Sequence, residues 1–493
     1  MDHSHRFAPV AAVALAVDGV LALATLFQWL VRLSAPRTWD YGPAQLAVLI
    51  DLVAHGMPLY RDFRAPPYMP MVYGPLVPWM VARGEYLFGA TPLAALELGR
   101  VITICATLAV AALIFALARR QKVGRQSAIL AALAFVLTPL VQLYGFEFRV
   151  DMPALALELG GIAAFGAGFE TAAVALLTGE FFVKPGRIAG IVALVACCVI
   201  RGQWRRAARL GLLWLATVTA GIATLQLASP WYWLNTFVTL PVPALDFGAP
   251  ILFVIIAIGG TVGLVIFAAL ALTRRRSLDL SLRCYLAAAL AEDALSCLRW
   301  GSNAYYFVPA MAAVAIVAAR ELDCLLARVA RERRWPAQLS AGLGLALLFA
   351  GPALLAPDTR AFAWRVAPLS GQRSSPWDPR ALARLHQISG PIVTDDADLL
   401  LTDTSTNLQW IDLMVLNSMY QRGTFDDSAL LDSIGERRIA AFALDSAGLD
   451  RAVRGRPLLW PALRDAIDHN YRELPGIGPP YLLTPIAGSR AKR

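Results

Sequence analysis

Arg37-Thr-Trp-Asp40-Tyr-Gly-Pro43, Leu59-Tyr-Arg-Asp-Phe-Arg64 and Pro66-Pro-Tyr-Met-Pro-Met-Val-Tyr73-Gly-Pro-Leu76 lie between two apolar runs, about 8–31 and 93–118. A chain that merely crosses a bilayer has no use for such a stretch of Trp, Tyr, Pro, Arg and Asp between its first two helices. Ordered loops of this length usually carry function, so 32–92 is where chemistry is expected.

The surroundings fix the solvent. The 493 residues are 58% hydrophobic and 16% charged, against about 25% charged for a soluble domain. Apolar windows of roughly 20 residues match a 30 Å hydrocarbon core. About eleven can be read: 8–31, 93–118, 127–144, 151–169, 171–184, 186–200, 207–228, 250–273, 279–298, 303–319 and 338–356. The fold class is therefore an all-α polytopic membrane bundle.

The net charge of +9 orients the chain and does not recruit nucleic acid. With the N-terminus inside, Arg119, Arg120, Lys122 and Arg125 share one side with Arg201, Arg205, Arg206 and Arg209. Arg274, Arg275, Arg276 and Arg283 join them, as do Arg320, Arg328, Arg331, Arg333 and Arg334. The opposite loops carry few cations, which is the positive-inside pattern. Eleven spans from an N-in start put both 32–92 and the C-terminus outside. The first apolar run is too long for a cleaved signal and reads as an anchor.

Two domains are expected: a membrane body over 1–356, with 32–92 inserted, and an extracytoplasmic module over 357–493. In the module, 378–386 reads as an Asp-capped helix, 391–394 and 439–444 as short buried strands, 463–471 as a helix and 480–484 as a last strand. Alternating helices and strands predict a small α/β domain. The six cysteines lie in or beside apolar runs, so no disulfide framework supports the module.

Asp40 follows the first helix at the outer boundary. A partly desolvated carboxylate there can act as general base toward an acceptor hydroxyl. The other reading is an interfacial aspartate capping a helix that begins near Gly42. Trp39, Tyr41, Gly42 and the Tyr73-Gly-Pro turn look like a pocket wall. Glu147, Arg149 and Asp151 form a second cluster on the same face, in Tyr144-Gly-Phe-Glu-Phe-Arg-Val-Asp-Met-Pro153, where Asp151 also suits a helix start. An acid and an Arg two apart do not pair across a helix, so Arg149 is expected to meet another partner. Lys184 (in Lys184-Pro185) and Arg299 (in Arg299-Trp-Gly-Ser-Asn303-Ala-Tyr305-Tyr306) end helices on that face. Cations at this depth hold a lipid-linked phosphate or snorkel to the interface.

Asp18, Glu158, Glu180, Glu292 and Asp293 are intramembrane or nearly so, which marks them as functional by default. Glu292 and Asp293 stand about two turns before Arg299 and are placed to pair with it. Asp395, Asp396 and Asp398 lack the Gly and distal Glu of a calcium loop and read as solvated loop.

These features resemble the GT-C superfamily of polyprenyl-phosphate-sugar-dependent glycosyltransferases. The closest group holds the protein mannosyltransferases, the lipid A aminoarabinose transferases and the lipopolysaccharide galacturonosyl transferases. The likeness lies in the order and sidedness of motifs: an acid opening the first external loop, Arg-x-Asp entering the fourth helix, Lys-Pro, and Gly-Ser-Asn-x-Tyr-Tyr-Phe. It implies Asp40 as catalytic acid/base and Asp151 with Glu147 as the second external acids. Lys184, Arg299 and Arg149 would face the donor phosphate, with Trp39, Tyr41, Tyr73, Asn303, Tyr305 and Tyr306 in the pocket. Mannosyltransferases follow their acid with a second one, whereas Tyr41 follows Asp40 here. That argues against a paired-carboxylate metal site, so no metal is obligatory and a divalent cation is at most an optional companion. The implied partners are a polyprenyl-phosphate sugar, membrane lipid and a glycan, lipid or protein acceptor, at a bacterial cytoplasmic membrane. A flippase of lipid-linked sugars and a lipid-binding scaffold are the rival readings.

Overall fold

The computed structural model describes residues 9–36, 38, 41–89, 91–239, 248–274, 278–298, 302–331, 335–355, 377–403, 407–444, 452–453, 456–476 and 481–486. The chain forms two units. The first gathers 1–33, 100–221 and 246–368, and the second 34–99, 222–245 and 369–493. Residues 34–99 thus pack with the C-terminal module, whereas the sequence placed them as an insertion in the helical body.

The first unit is helical, and its helices fall where the apolar windows predict. Asp151–Gly166 packs on Glu170–Val183, Pro9–Val31 on Trp335–Leu355, and Leu280–Cys297 on Ala189–Ile200. Small residues let these apolar helices approach closely. At Gly161 a Cβ would stand 2.8 Å from Leu177 Cγ, so only glycine admits the Asp151–Gly166 helix to its neighbour.

Two windows break. The 127–144 run divides into Arg125–Val136 and Pro139–Tyr144, because Pro139 has no N–H and disfavours helix at Thr138. The 250–273 run was expected to be one span. It is two helices, Gly248–Gly260 and Val262–Thr273, bent by 91°. Gly259 and Gly260 weaken the helix just before Thr261, whose hydroxyl donates to the Ala257 carbonyl at 2.5 Å. Among the described residues three helices, Pro9–Val31, Pro92–Arg120 and Trp204–Ala228, are long and apolar enough to cross a membrane alone, and the bent pair makes a fourth if it is one span. Ala189–Ile200, at 12 residues, reaches only about 18 Å. Leu23, Phe27, Leu212, Leu227 and Ile251 face outward, as lipid-facing side chains do.

The second unit is built on a five-stranded sheet, ordered β2-β1-β3-β7-β6. Its strands are β1 (Ile392–Thr394), β2 (Leu408–Trp410), β3 (Ala441–Leu444), β6 (Tyr471–Glu473) and β7 (Tyr481–Pro485). A separate hairpin joins β4 (Ala452–Val453) to β5 (Arg456–Pro457). β1 runs parallel to β2 and β3, while β7 is antiparallel to β3 and β6. The Asp-capped helix appears as Pro379–Leu385, with the Asp378 carboxylate accepting from Arg380 N at 2.8 Å. The α/β expectation therefore holds, and β2 and β6 are strands the sequence reading missed.

The first loop is not helix-free. It contains Tyr41–Ala54 and Leu76–Phe88, and its extended part covers the β2 edge. Tyr68 bridges Ile411, and Asp412 N donates to the Tyr68 carbonyl at 3.1 Å. An uncovered edge would invite pairing with another chain. Gln45 Nε2 donates to Asp412 at 2.5 Å, and Thr38 Oγ1 to Asp398 at 2.8 Å. Asp396 caps the helix Ala397–Thr402 through Leu399 N. Asp395 and Asp396 are buried, so this acidic run is structural and not the solvated loop expected. Glu85 is buried at 1% exposure. Burial first, and the Asp51 carboxylate second, push its carboxyl up to about 9.

Candidate active site

Asp151 opens the helix Asp151–Gly166, where a carboxylate suits the positive end of the helix dipole. Lys184 reaches it from the end of the preceding helix hairpin. The helix Glu170–Val183 stops there because Pro185 forces Lys184 into an extended conformation, φ −134° and ψ 90°. Gly186 then turns with φ 93°, and Arg187 N closes the turn on the Lys184 carbonyl at 3.2 Å. This short turn aims the Lys184 ammonium at Asp151 Oδ1, with which it forms an ion pair.

Arg149 completes the cluster. Its Nε lies 3.2 Å from Asp151 Oδ2. The sequence argument against an i, i+2 pair assumed a helix, but Arg149 precedes the helix, and a non-helical turn brings the two side chains together. Thr103 anchors the Arg149 backbone, with its hydroxyl 3.3 Å from the Arg149 carbonyl. The guanidinium lies 3.9 Å from the centre of the Tyr305 ring, and the Lys184 ammonium 4.7 Å from that of Tyr306. Both rings therefore hold cations by cation–π attraction. Asn303 accepts from Ala304 N and donates to the Tyr144 hydroxyl at 3.2 Å, fixing the aromatic wall. Asp151, Lys184, Arg187, Tyr305 and Tyr306 line a hollow closed by Leu155, Val308 and Pro309.

Arg187 was not singled out by the sequence. Its Nη1 donates to Asp293 at 2.9 Å, its Nη2 donates to Glu158 at 3.1 Å, and its Nε is ion-paired with Glu292 at 3.0 Å. Glu292 also accepts from Ile188 N, and Asp293 from Ala310 N. One guanidinium thus ties the turn carrying Lys184 to two helices, Asp151–Gly166 and Leu280–Cys297. Glu292 and Asp293, expected to pair with Arg299, pair with Arg187, and Arg299 lies outside the described residues. The missed signal was four buried acids, Glu158, Glu180, Glu292 and Asp293, with one cation on the Lys-Pro turn to answer them.

The other expected residues divide. Asn303, Tyr305 and Tyr306 gather around Asp151 with Arg149 and Lys184. Glu147 faces Arg100 at 3.5 Å, both side chains 1% exposed, and that arginine also donates to the Arg32 and Leu33 carbonyls. Tyr73 belongs to the second unit, where its carbonyl accepts from the Tyr60 hydroxyl. Tyr41 begins a helix. Asp40, Trp39 and Arg299 lie outside the described residues. Tyr232 is buried edge-on against Tyr60. Among the described residues no three His, Cys, Asp or Glu side chains converge as a metal set.

No protein-family model matches the sequence, and no curated protein matches it. Solved structures do. ArnT from Cupriavidus metallidurans in the apo state superposes with a TM-score of 0.62 at 15% identity, over 95% of this chain and 98% of that one. The same protein bound to undecaprenyl phosphate gives 0.62 at 16% identity, with the same coverage. The apo Archaeoglobus fulgidus oligosaccharyltransferase corresponds more loosely, at 0.48 and 13% identity over 88% of this chain and 70% of that one. At these identities the likeness speaks of architecture alone, and that architecture is shared with ArnT over 95% of this chain.

Proposed function

We propose that the chain is an inverting glycosyltransferase, moving a sugar from a polyprenyl-phosphate donor to an envelope hydroxyl at the outer face of the cytoplasmic membrane. The observation that carries this reading is the cluster at the hollow: two cations, each over a tyrosine ring, meet a single carboxylate. Its support is a fold shared along the full length of ArnT, a protein whose solved structure holds undecaprenyl phosphate.

In this reading the acceptor oxygen forms a bond to the anomeric carbon as the bond to the donor phosphate breaks. The proton passes to Asp40, and the electron pair leaves with the lipid phosphate. Lys184 and Arg149 neutralise that leaving group, with Arg299 as a further cation. Asp151 holds both cations in place until the phosphate arrives. A single displacement needs one base and no second carboxylate nucleophile. The eleven spans, the N-in start and the external second unit belong to the same proposal, on the charge distribution of the loops.

Asp40→Asn is expected to abolish transfer from a polyprenyl-phosphate sugar in membranes while the protein still accumulates. Substantial residual transfer would remove Asp40 from the mechanism.

A further inference from the structure

Arg61, in the first-loop segment Leu59-Tyr-Arg-Asp-Phe-Arg64, is 7% exposed, yet among the described residues its Nε and Nη2 have no hydrogen-bond partner. Its one side-chain bond is a weak one, from Nη1 to Met57 Sδ at 3.5 Å. A carboxylate stands one residue away, but the chain directs it elsewhere. Asp62 accepts from Arg64 Nε at 2.8 Å, from Nη2 at 2.9 Å and from the Arg64 backbone at 3.1 Å. Arg64 lies in turn over the Trp231 ring at 5.2 Å. The fold thus pairs its exposed arginine and leaves the buried one alone.

The position of Arg61 is built, not accidental. Asn235 donates to the Arg61 carbonyl at 2.8 Å and accepts from Met71 N at 2.9 Å, so two separate chain segments fix this backbone. Ser229 donates to the neighbouring Tyr60 carbonyl at 3.0 Å. Burial alone lowers the Arg61 guanidinium to about 10, still above neutral, so it enters the interior charged. A lone buried cation opposes folding unless something answers it.

The two unpartnered nitrogens decide the class of ligand. Nε and Nη2 form one edge of the guanidinium, the fork that grips two oxygens of an oxyanion side by side. The geometry points to Arg61 as an anion-binding residue of the second unit, which takes the phosphate oxygens of a phosphate ester. The ester is either a lipid headgroup or a soluble phosphate, and the same fork serves both. Arg61 belongs to the second unit and Asp151 to the first, and the inference stands whether or not the chain transfers sugar.

Thermal unfolding of the full chain in nanodiscs tests it without any turnover. The probes are undecaprenyl phosphate against undecaprenol, and inorganic phosphate against chloride at matched ionic strength, all read in the Lys184→Met background so that the Asp151 cluster adds little response of its own. The chain with Arg61 intact is expected to gain a few degrees with a phosphate-bearing probe and nothing with its control. Adding Arg61→Met keeps the bulk and removes the charge, so without ligand it should melt no lower, and it should lose the phosphate response. A response to undecaprenyl phosphate alone assigns the lipid headgroup, and a response to inorganic phosphate as well assigns a soluble ester. The proposal is overturned if the chain with Arg61 intact ignores both probes, or if Arg61→Met keeps the response. Should Arg61→Met not fold, Arg61→Gln carries the same comparison. Because transfer is assayed separately, loss of activity and loss of this site are distinguishable.

Discussion

Lys184 and Asp151 form an ion pair at a hollow also lined by Tyr305 and Tyr306, and Arg149 pairs with the same Asp151. If the ammonium neutralises a departing phosphate, Lys184→Met should lower kcat about a hundredfold, comparable to loss of one group that stabilises developing charge. A change in KM alone, measured with varied donor, would limit Lys184 to ground-state binding. The sequence exposed these residues through the Arg-x-Asp and Lys-Pro spacings, since each motif ends a helix on the same predicted face. It did not reveal that Arg149 and Asp151 pair, because that depends on where the helix begins. Nor did it reveal Arg187, whose three carboxylate partners come from segments far apart in the chain.

Among elements, the Lys184–Arg187 turn depends on Arg187 holding Glu158, Glu292 and Asp293. Removing one partner from a buried charge network typically costs about 3–5 kcal/mol. Arg187→Met should therefore unfold at clearly lower temperature than wild type and lose transfer with it, whereas Lys184→Met should lose transfer with little change in melting. Equal melting of the two variants would deny Arg187 its tethering role. Glu85 offers a pH test. Its carboxyl is raised in the folded chain, so its contribution is full below the ordinary glutamate range and is lost as pH rises toward about 9. Glu85→Gln should flatten that decline, and chemical denaturation at pH 5 and pH 8 checks it. Helix positions were legible from apolar windows. The breaks at Pro139 and Thr261 were not read, although proline and paired glycines announced both. The acidic run Asp395 to Asp398 was misread because a cap and a side chain to be bonded by Thr38 look, in sequence, like solvated loop.

At the scale of the whole molecule, the helical architecture expected from the apolar windows is observed and is shared with ArnT, while the grouping of residues 34–99 with the C-terminal sheet was not foreseen. Alternation along one strand says which face is buried, but not that Tyr68 will cover the edge beside Ile411. A transferase with this fold converts one lipid to another, whereas a flippase would move the donor and leave it intact. The most direct measurement is mass spectrometry of lipids after purified protein meets a polyprenyl-phosphate sugar and an envelope extract. The account predicts acceptor-dependent release of polyprenyl phosphate by wild type, none by Asp40→Asn and about a hundredfold less by Lys184→Met. Donor that crosses vesicles unconsumed, or release undiminished in both variants, would contradict it.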